Sequence, residues 1–296
     1  MTVSTGGLLL NVCLIGEGKA AQNQIVALQE LHDYYRIVDD FDGADIVSVC
    51  TPTTSHYATM MSFMQEKKAI WCEKPFTHSL CHAIEAYKAS ENLGVPILPI
   101  SNFRFTSPPN DLVMSINYRR DAAYYSASKW RGTWDGEGGG ALFTQGWHVL
   151  DALLESEPEI MTVSCSTCTA WHDIEVEDWA HVELTTPSGL TYIREISTAP
   201  MDIDDCADPS ILGDRHCGLV RQLEDFHLCV TQRSTPYIGA QNALYTMTII
   251  TACYWSSIIG RPVQIDEILR DPMNHPAFLG WQSHLARPDT RLATCH

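Results

Sequence analysis

The sequence predicts an α/β protein in two parts. Residues 1–105 form a shortened parallel sheet flanked by helices, and residues 106–296 an α+β domain with an open, mainly antiparallel sheet. Two observations carry this expectation. As far as residue 101, short apolar runs alternate with segments of helical spacing, which is the pattern of βαβ units. Near residue 105 the apolar pattern changes to period two, which suits strands with one covered face.

The elements follow in order. "LLLNVCLIG" is a buried strand ending in glycine, and "AAQNQIVALQELHDYY" a helix. "ADIVSVCTP", "KAIWCEKP" and "VPILPIS" are further buried strands. The segments "HYATMMSFMQEK" and "SLCHAIEAYKASENLG" are the helices between them, the second stopped by glycine. In the second part "AAYYSASKWRG", "IMTVSCSTCTA", "AHVELTT" and "LTYIREIST" read as strands, the last two joined by "PSG". "ALFTQGWHVLDALLE", "VRQLEDFHLCVTQ" and "GAQNALYTMTIITACYWSSIIG" read as helices.

One stretch is short. Few residues separate "RIVDD" from the strand "DIVSVC". A parallel crossover takes a dozen or more residues, so the two runs are not expected to be neighbouring strands joined by a helix. The second strand of the first unit, with its helix, is expected to be missing.

Composition narrows the function. The net charge of −17 argues against a nucleic-acid partner, because phosphate binding needs clustered Lys and Arg. No targeting or membrane segment is read, and the eleven cysteines, an odd number in apolar contexts, suit reduced thiols in a cytoplasmic protein. Cys165 and Cys168 form a lone CxxC inside a strand pattern, without a second pair, so no metal site is expected.

Several motifs fall at strand ends. "GEGKAA" is a G-x-G-x-x-A turn between a strand and a helix. Gly16 permits the tight turn, Gly18 lets a pyrophosphate approach, and Ala21 allows close helix–strand packing. An acid about 20 residues on would hold the ribose, and Asp39 or Asp40 has that spacing. "CTPTTSH" places Thr51, Pro52 and His56 at the next strand end, and "CEKP" places Glu73 and Lys74 at another. Ligands of such sheets bind at the carboxyl ends of strands. A helix-start histidine and a solvated lysine are the plainer readings of His56 and Lys74; a desolvated Lys74 would act as acid or base. On the helix after Gly138–Gly140, Thr144, His148 and Asp151 are spaced to share a face. That row could position an imidazole for proton transfer, or belong to an ordinary amphipathic helix. Trp130, Trp134 and Trp147 would lie near the pocket.

Together "GEGKAA", "CTPTTSH", "CEKP", "NFRF", "WDGEGGGALFTQGWHVLD", "VEDWAHVELTTPSGL", "LEDFHLCV" and "IIGRPV" resemble the glucose–fructose oxidoreductase / inositol dehydrogenase / MocA (Gfo/Idh/MocA) family over nearly the whole chain. The resemblance implies a Rossmann domain followed by an open-sheet domain, a homo-oligomer formed through that sheet, and hydride transfer between NAD or NADP and a small hydroxyl-bearing substrate. It makes Lys74 a proton-handling residue, His148 the catalytic histidine, and Thr144 the occupant of a position where the family commonly has aspartate. Gly16, Gly18, Ala21, Thr51, Pro52, His56 and Glu73 would face the cofactor, and Asn102, Arg104 and Trp147 the substrate. The shortened first unit puts cofactor binding in question. A lyase, isomerase or cyclase without hydride transfer is the alternative, and a non-catalytic binding protein a third.

Overall fold

The computed structural model describes residues 8–270. Residues 1–7, where the segment read as free of a targeting signal begins, and 271–296, the end of the second expected domain, lie outside the described residues.

The first half builds β1 (Leu10–Ile15), α1 (Lys19–Glu30), β2 (Tyr35–Ile37), β3 (Ile46–Val49), α2 (Thr53–Gln65), β4 (Ala69–Cys72), α3 (Leu80–Leu93) and β5 (Ile97–Pro99). Its sheet is wholly parallel, in the order β2-β1-β3-β4-β5. Both faces are covered, which is why these strands are apolar throughout rather than alternating. Ser79 caps α3 by accepting from His82 N, and Gly94 ends it in the left-handed conformation.

The expectation of a missing second strand is corrected. β2 is present as three residues, with Leu10 opposite Tyr35 and Val12 opposite Ile37. The crossover argument assumed that β2 and β3 are neighbours, but β1 lies between them. Only the helix is absent. A strand this short leaves about 10 Å of return path, which the link 38–45 covers at roughly 3.3–3.6 Å per residue. Asn11 holds the link, donating from Nδ2 to Gly43 O (3.0 Å) and from its backbone N–H to Asp45 Oδ2 (2.8 Å). Lys68 donates to the carbonyls of Asp42 and Ala44 (2.9 and 2.8 Å), and Phe41 packs on Phe63 of α2.

A 3-10 turn at Asn102–Phe105 leads to β6 (Val113–Asn117), α4 (Ala122–Ser126), a π-helical turn (Ala141–Gln145) and α5 (Gly146–Ser156). Next come β7 (Thr162–Cys168), β8 (Trp179–Thr185), β9 (Thr191–Ser197), a 3-10 turn at Pro209–Leu212, α6 (Arg215–Gln232), α7 (Ala240–Ile259), β10 (Val263–Gln264) and α8 (Ile265–Arg270). The second sheet has the order β10-β7-β8-β9-β6, antiparallel except where β6 joins β9. The strand expected over 122–132 is instead α4 and turns. Asp121 caps α4 by accepting from Tyr124 N, and this local bond outweighs the strand preference of the two tyrosines. The sixth strand lies just upstream.

The strands divide between the sheets near residue 105, but the helices do not. Leu219, Leu223 and Phe226 of α6 return to the first sheet and pack with α1 over Leu10, Val12, Trp71 and Leu98. Tyr35 Oη donates to Leu223 O, and Gln222 bonds Pro99 O and Ser101 N. On the opposite face, Val47, Ile70 and Ile97 join one core with α7 and the second sheet.

Among the described cysteines, Cys13, Cys50, Cys72, Cys165, Cys229 and Cys253 are free and buried, as small core hydrophobes are. Cys168 is disulfide-bonded, which departs from the expectation of reduced thiols. In a strand, residues three apart face opposite sides, so Cys165 and Cys168 do not meet as a CxxC pair.

Candidate active site

The carboxyl ends of β1, β3 and β4 are tied together by short-range contacts. Gly16 has a φ of +113°, and a Cβ there would lie 2.5 Å from Cys50 O, so only glycine lets the first turn press against the "CTP" strand end. Beside Gly18 a Cβ would meet nothing within 4 Å, leaving the space above the turn open. Ala21 is buried beneath it. His56 is buried too, with Nε2 2.8 Å from Thr51 O and Nδ1 3.0 Å from Pro75 O. It therefore joins the ends of β3 and β4. Burial holds its pKa below the ordinary histidine value despite these carbonyls. Glu73 accepts from Gln24 Nε2 of α1 (2.8 Å), and Gln24 in turn accepts from Ser48 Oγ. Asp39 lies two residues beyond the end of β2. Burial and the carboxylates of Asp39 and Asp40 push the Cys13 thiol up, which sets those acids beside β1. Glycine turn, open space and acid at the end of β2 are the parts that a dinucleotide needs.

Lys74 points from the end of β4 to the π-helical turn, where Nζ donates to Thr144 O (2.9 Å). Burial lowers its pKa to about 8; Glu73 opposes that shift, and Arg215 and Arg120 add to it. His148 lies in the first turn of α5, buried, its ring edge-to-face with Phe103 at 5.1 Å. Burial, then the charges of Lys74 and Arg215, keep it neutral, well below the ordinary value. Its Nε2 has no partner.

The three glycines before this turn answer to packing. A Cβ on Gly140 would sit 1.7 Å from Glu177 O, one on Gly139 2.3 Å from the Tyr254 hydroxyl, and one on Gly138 2.7 Å from His78. Beneath them the buried Glu177 accepts on Oε1 from Gly140 N, Leu142 N and Tyr254 Oη (2.9, 2.9 and 2.8 Å). This carboxylate anchors the start of the π turn and so fixes where Thr144 O meets Lys74. Burial raises its pKa to about 7.

The expected Thr144–His148–Asp151 row is not assembled. The π turn alters the spacing, and the Thr144 hydroxyl donates back to Gly140 O. Asp151 instead pairs with Arg104 at 2.9 Å, both buried, and accepts from Thr246 Oγ1. Arg104 also reaches Glu155, so its guanidinium meets α5 rather than Lys74. Trp147 is fully buried in the core and Trp134 nearly so, while Trp130 is partly exposed. Asn102 is buried and donates to Arg215 O (3.1 Å). Of the residues expected to face substrate, then, Arg104 and Trp147 are buried, and Arg104 is ion-paired to α5. Sequence reasoning missed Arg120 and Arg215, which act on Lys74 and on Tyr118 from segments without a motif, and Glu137, which acts on Lys74 from within the glycine-rich segment. Among the described residues no cluster of three His, Cys, Asp or Glu side chains could hold a metal ion.

Comparison with known proteins agrees with this geometry. Residues 12–99 match the model of an oxidoreductase family with an NAD-binding Rossmann fold, and residues 112–201 match the C-terminal domain of the same family. The chain belongs to the Gfo/Idh/MocA family. Two D-apiose dehydrogenases are similar to this family member. That of Rhizobium rhizogenes is 25% identical over 167 residues, covering 53% of this chain and 48% of the relative. That of Paraburkholderia graminis is 24% identical over 192 residues, covering 60% and 50%. The chain thus spans about half the length of the curated relatives it matches. Among solved structures, an Agrobacterium radiobacter oxidoreductase in complex with NAD+, L-tartaric acid and magnesium superposes with a TM-score of 0.74 at 19% identity, covering 88% of this chain and 99% of that one. The WlbA dehydrogenase of Bordetella pertussis, in complex with NADH and UDP-GlcNAcA, gives 0.72 at 18%, covering 87% and 98%. At such identities the likeness establishes the fold. Among the described residues no helix is long and apolar enough to cross a membrane.

Proposed function

We propose that this Gfo/Idh/MocA member moves a hydride between a nicotinamide dinucleotide and the hydroxyl-bearing carbon of a small sugar-like substrate. The observation that carries the reading is the Lys74 ammonium on Thr144 O, at the end of β4, with a neutral His148 nearby whose Nε2 is unpartnered. The D-apiose dehydrogenases support a sugar-like substrate. Gly16, Gly18 and Ala21 would seat the pyrophosphate; Thr51, Pro52 and Glu73 would face the nicotinamide side, with His56 bracing the two strand ends. Asp39, at the ribose position, favours NAD, because a carboxylate there repels a 2′-phosphate. When bound, the cofactor supplies the hydride acceptor or donor. Lys74, with its pKa near 8, takes or returns the hydroxyl proton in the range where both of its forms are populated. His148 orients the same oxygen through Nε2, its ring held by Phe103. Thr144 acts through its carbonyl, which aims Lys74.

A second reading, elimination or isomerisation by the same lysine and histidine without hydride transfer, draws on the helix-free link 38–45 and the absent carboxylate at Thr144. Calorimetric titration with NADH and NADPH separates the two. Tighter binding of NADH is expected, and no binding of either at millimolar concentration would sink the redox reading. Lys74→Ala and His148→Ala should each abolish turnover while leaving NADH binding intact. Self-association through the outer face of the second sheet, where Trp179, His181 and Ile193 stand, belongs to the same proposal, and light scattering tests it.

A further inference from the structure

We infer that the space facing Lys74 and His148 takes a substrate bearing an anionic group, a carboxylate or phosphate, held by Arg120, Arg215 and the Tyr118 hydroxyl. The inference rests on the reading of Lys74 and His148 as the substrate site, and goes beyond it to the class of substrate.

Unpartnered buried atoms gather here. Tyr118 Oη, Arg120 Nε and His148 Nε2 are all buried without a hydrogen-bond partner. Such groups are costly to leave unmade, and a ligand that satisfies them gains what the free protein lacks. Their surroundings connect them. Arg215 and Arg120 both act on Tyr118 and on Lys74, and Arg215 also acts on His148.

The Arg120 guanidinium is fixed by hydrogen bonds, the Arg215 guanidinium lies against a ring, and neither makes an ion pair. Arg215 lies over the Phe103 ring at 5.5 Å, and the same ring abuts His148. Arg120 donates from Nη1 to Tyr118 O (2.6 Å) and Arg119 O (2.9 Å), and stacks over Tyr124 at 4.6 Å. Its carbonyl faces the His172 ring (3.2 Å), which Asp178 fixes from the other side. Arginine ion pairs are made by Arg104, Arg119 and Arg261; among the described residues Arg120 and Arg215 make none. In a chain with 36 acidic against 19 basic residues, two arginines without an ion pair lie close enough to Lys74 to act on it. Glu73 also acts on Lys74, and the acid that acts with both Lys74 and Arg120 is Glu137. Burial raises it to about 7, against the pull of Gly132 N–H, Arg131, Lys74 and Arg120, so it offsets their charge only in part. Guanidinium forks match carboxylate and phosphate oxygens in geometry as well as charge.

The test uses the full chain, with and without saturating NADH, and three probes: D-glucuronate, D-glucose 6-phosphate and D-glucose. Binding is followed by calorimetry for wild type, Arg215→Gln, Arg120→Gln and the control Arg119→Gln. One or both anions should bind saturably at millimolar concentration and more tightly than D-glucose. Arg215→Gln and Arg120→Gln should each weaken that binding about tenfold to a hundredfold, and Arg119→Gln should not. Which anion binds tells carboxylate from phosphate. Because Arg215 is exposed, its glutamine variant should fold even if the Arg120 variant does not, and thermal melts check this. The inference is overturned if D-glucose binds as tightly as both anions, if neither anion binds, or if Arg215→Gln leaves anion affinity unchanged. Anion binding that depends on Arg215, in a protein that takes no NADH, would retain the inference and remove the redox reading. NADH binding without anion preference would do the reverse.

Discussion

Replacing Lys74 by methionine should make the protein more stable while removing its activity. The lysine pKa falls from 10.5 to about 8 because burial penalises the ammonium. At 1.36 kcal/mol per pH decade this sets a ceiling of about 3 kcal/mol on the destabilisation. Losing the bond to Thr144 O gives back about 1 kcal/mol, and partial exposure discounts the rest, so a net gain near 2 kcal/mol is expected at pH 7. For a chain of this size that corresponds to a rise in Tm of roughly 4 °C. The pH dependence is distinctive. Below about pH 8 folded and unfolded lysine are both charged, and the wild type bears the full cost. Between about 8 and 10.5 the folded lysine is neutral while the unfolded one still binds a proton, so wild-type stability rises with pH relative to the variant. Urea unfolding of both proteins from pH 6 to 9.5 should show a gap that is constant at first and then narrows. A variant less stable than wild type at pH 7, or a gap that does not narrow above pH 8, would refute the account of a desolvated lysine.

Three further predictions follow from neighbouring features. For the proposed oxidation, kcat/KM should rise through about pH 8 as Lys74 loses its proton, and pH-rate profiles should show that limb vanish in Lys74→Met. Asp151→Asn leaves the buried Arg104 guanidinium short of its partner and should cost about 3–5 kcal/mol in chemical denaturation; unchanged stability with lost turnover would return Asp151 to the catalytic row. Gly140→Ala pushes a methyl group into Glu177 O and should destabilise by about 1–3 kcal/mol or more, with kcat falling further than Tm implies because the π turn carries the Lys74 acceptor.

What the sequence disclosed, and what it hid, follows from the range of the interactions involved. The glycine turn, the strand ends at Thr51 and Lys74, and the glycine-rich approach to His148 rest on local patterns, so they were legible. β2 was concealed by its length, since three residues show no periodicity, and because strand order cannot be read from sequence separation. Asp151 sits at catalytic spacing but is claimed by Arg104, 47 residues away in the chain. Arg120 and Arg215 carry no motif at all. They act on Lys74 only because the segment after β6 and the start of α6 fold to within electrostatic range of it, a tertiary fact without a local signature.

The return of α6 to the first sheet also bears on how the protein is made. When the ribosome has released residue 105, the strands of the first sheet exist, but Leu10, Val12, Trp71 and Leu98 await a cover that lies more than a hundred residues downstream. At about 5–20 residues per second that apolar face stays only partly covered, by α1 alone, for roughly five to twenty-five seconds. A truncation before α6, which leaves Trp71 and Leu98 short of their cover, should therefore give an aggregating fragment rather than a small nucleotide-binding module.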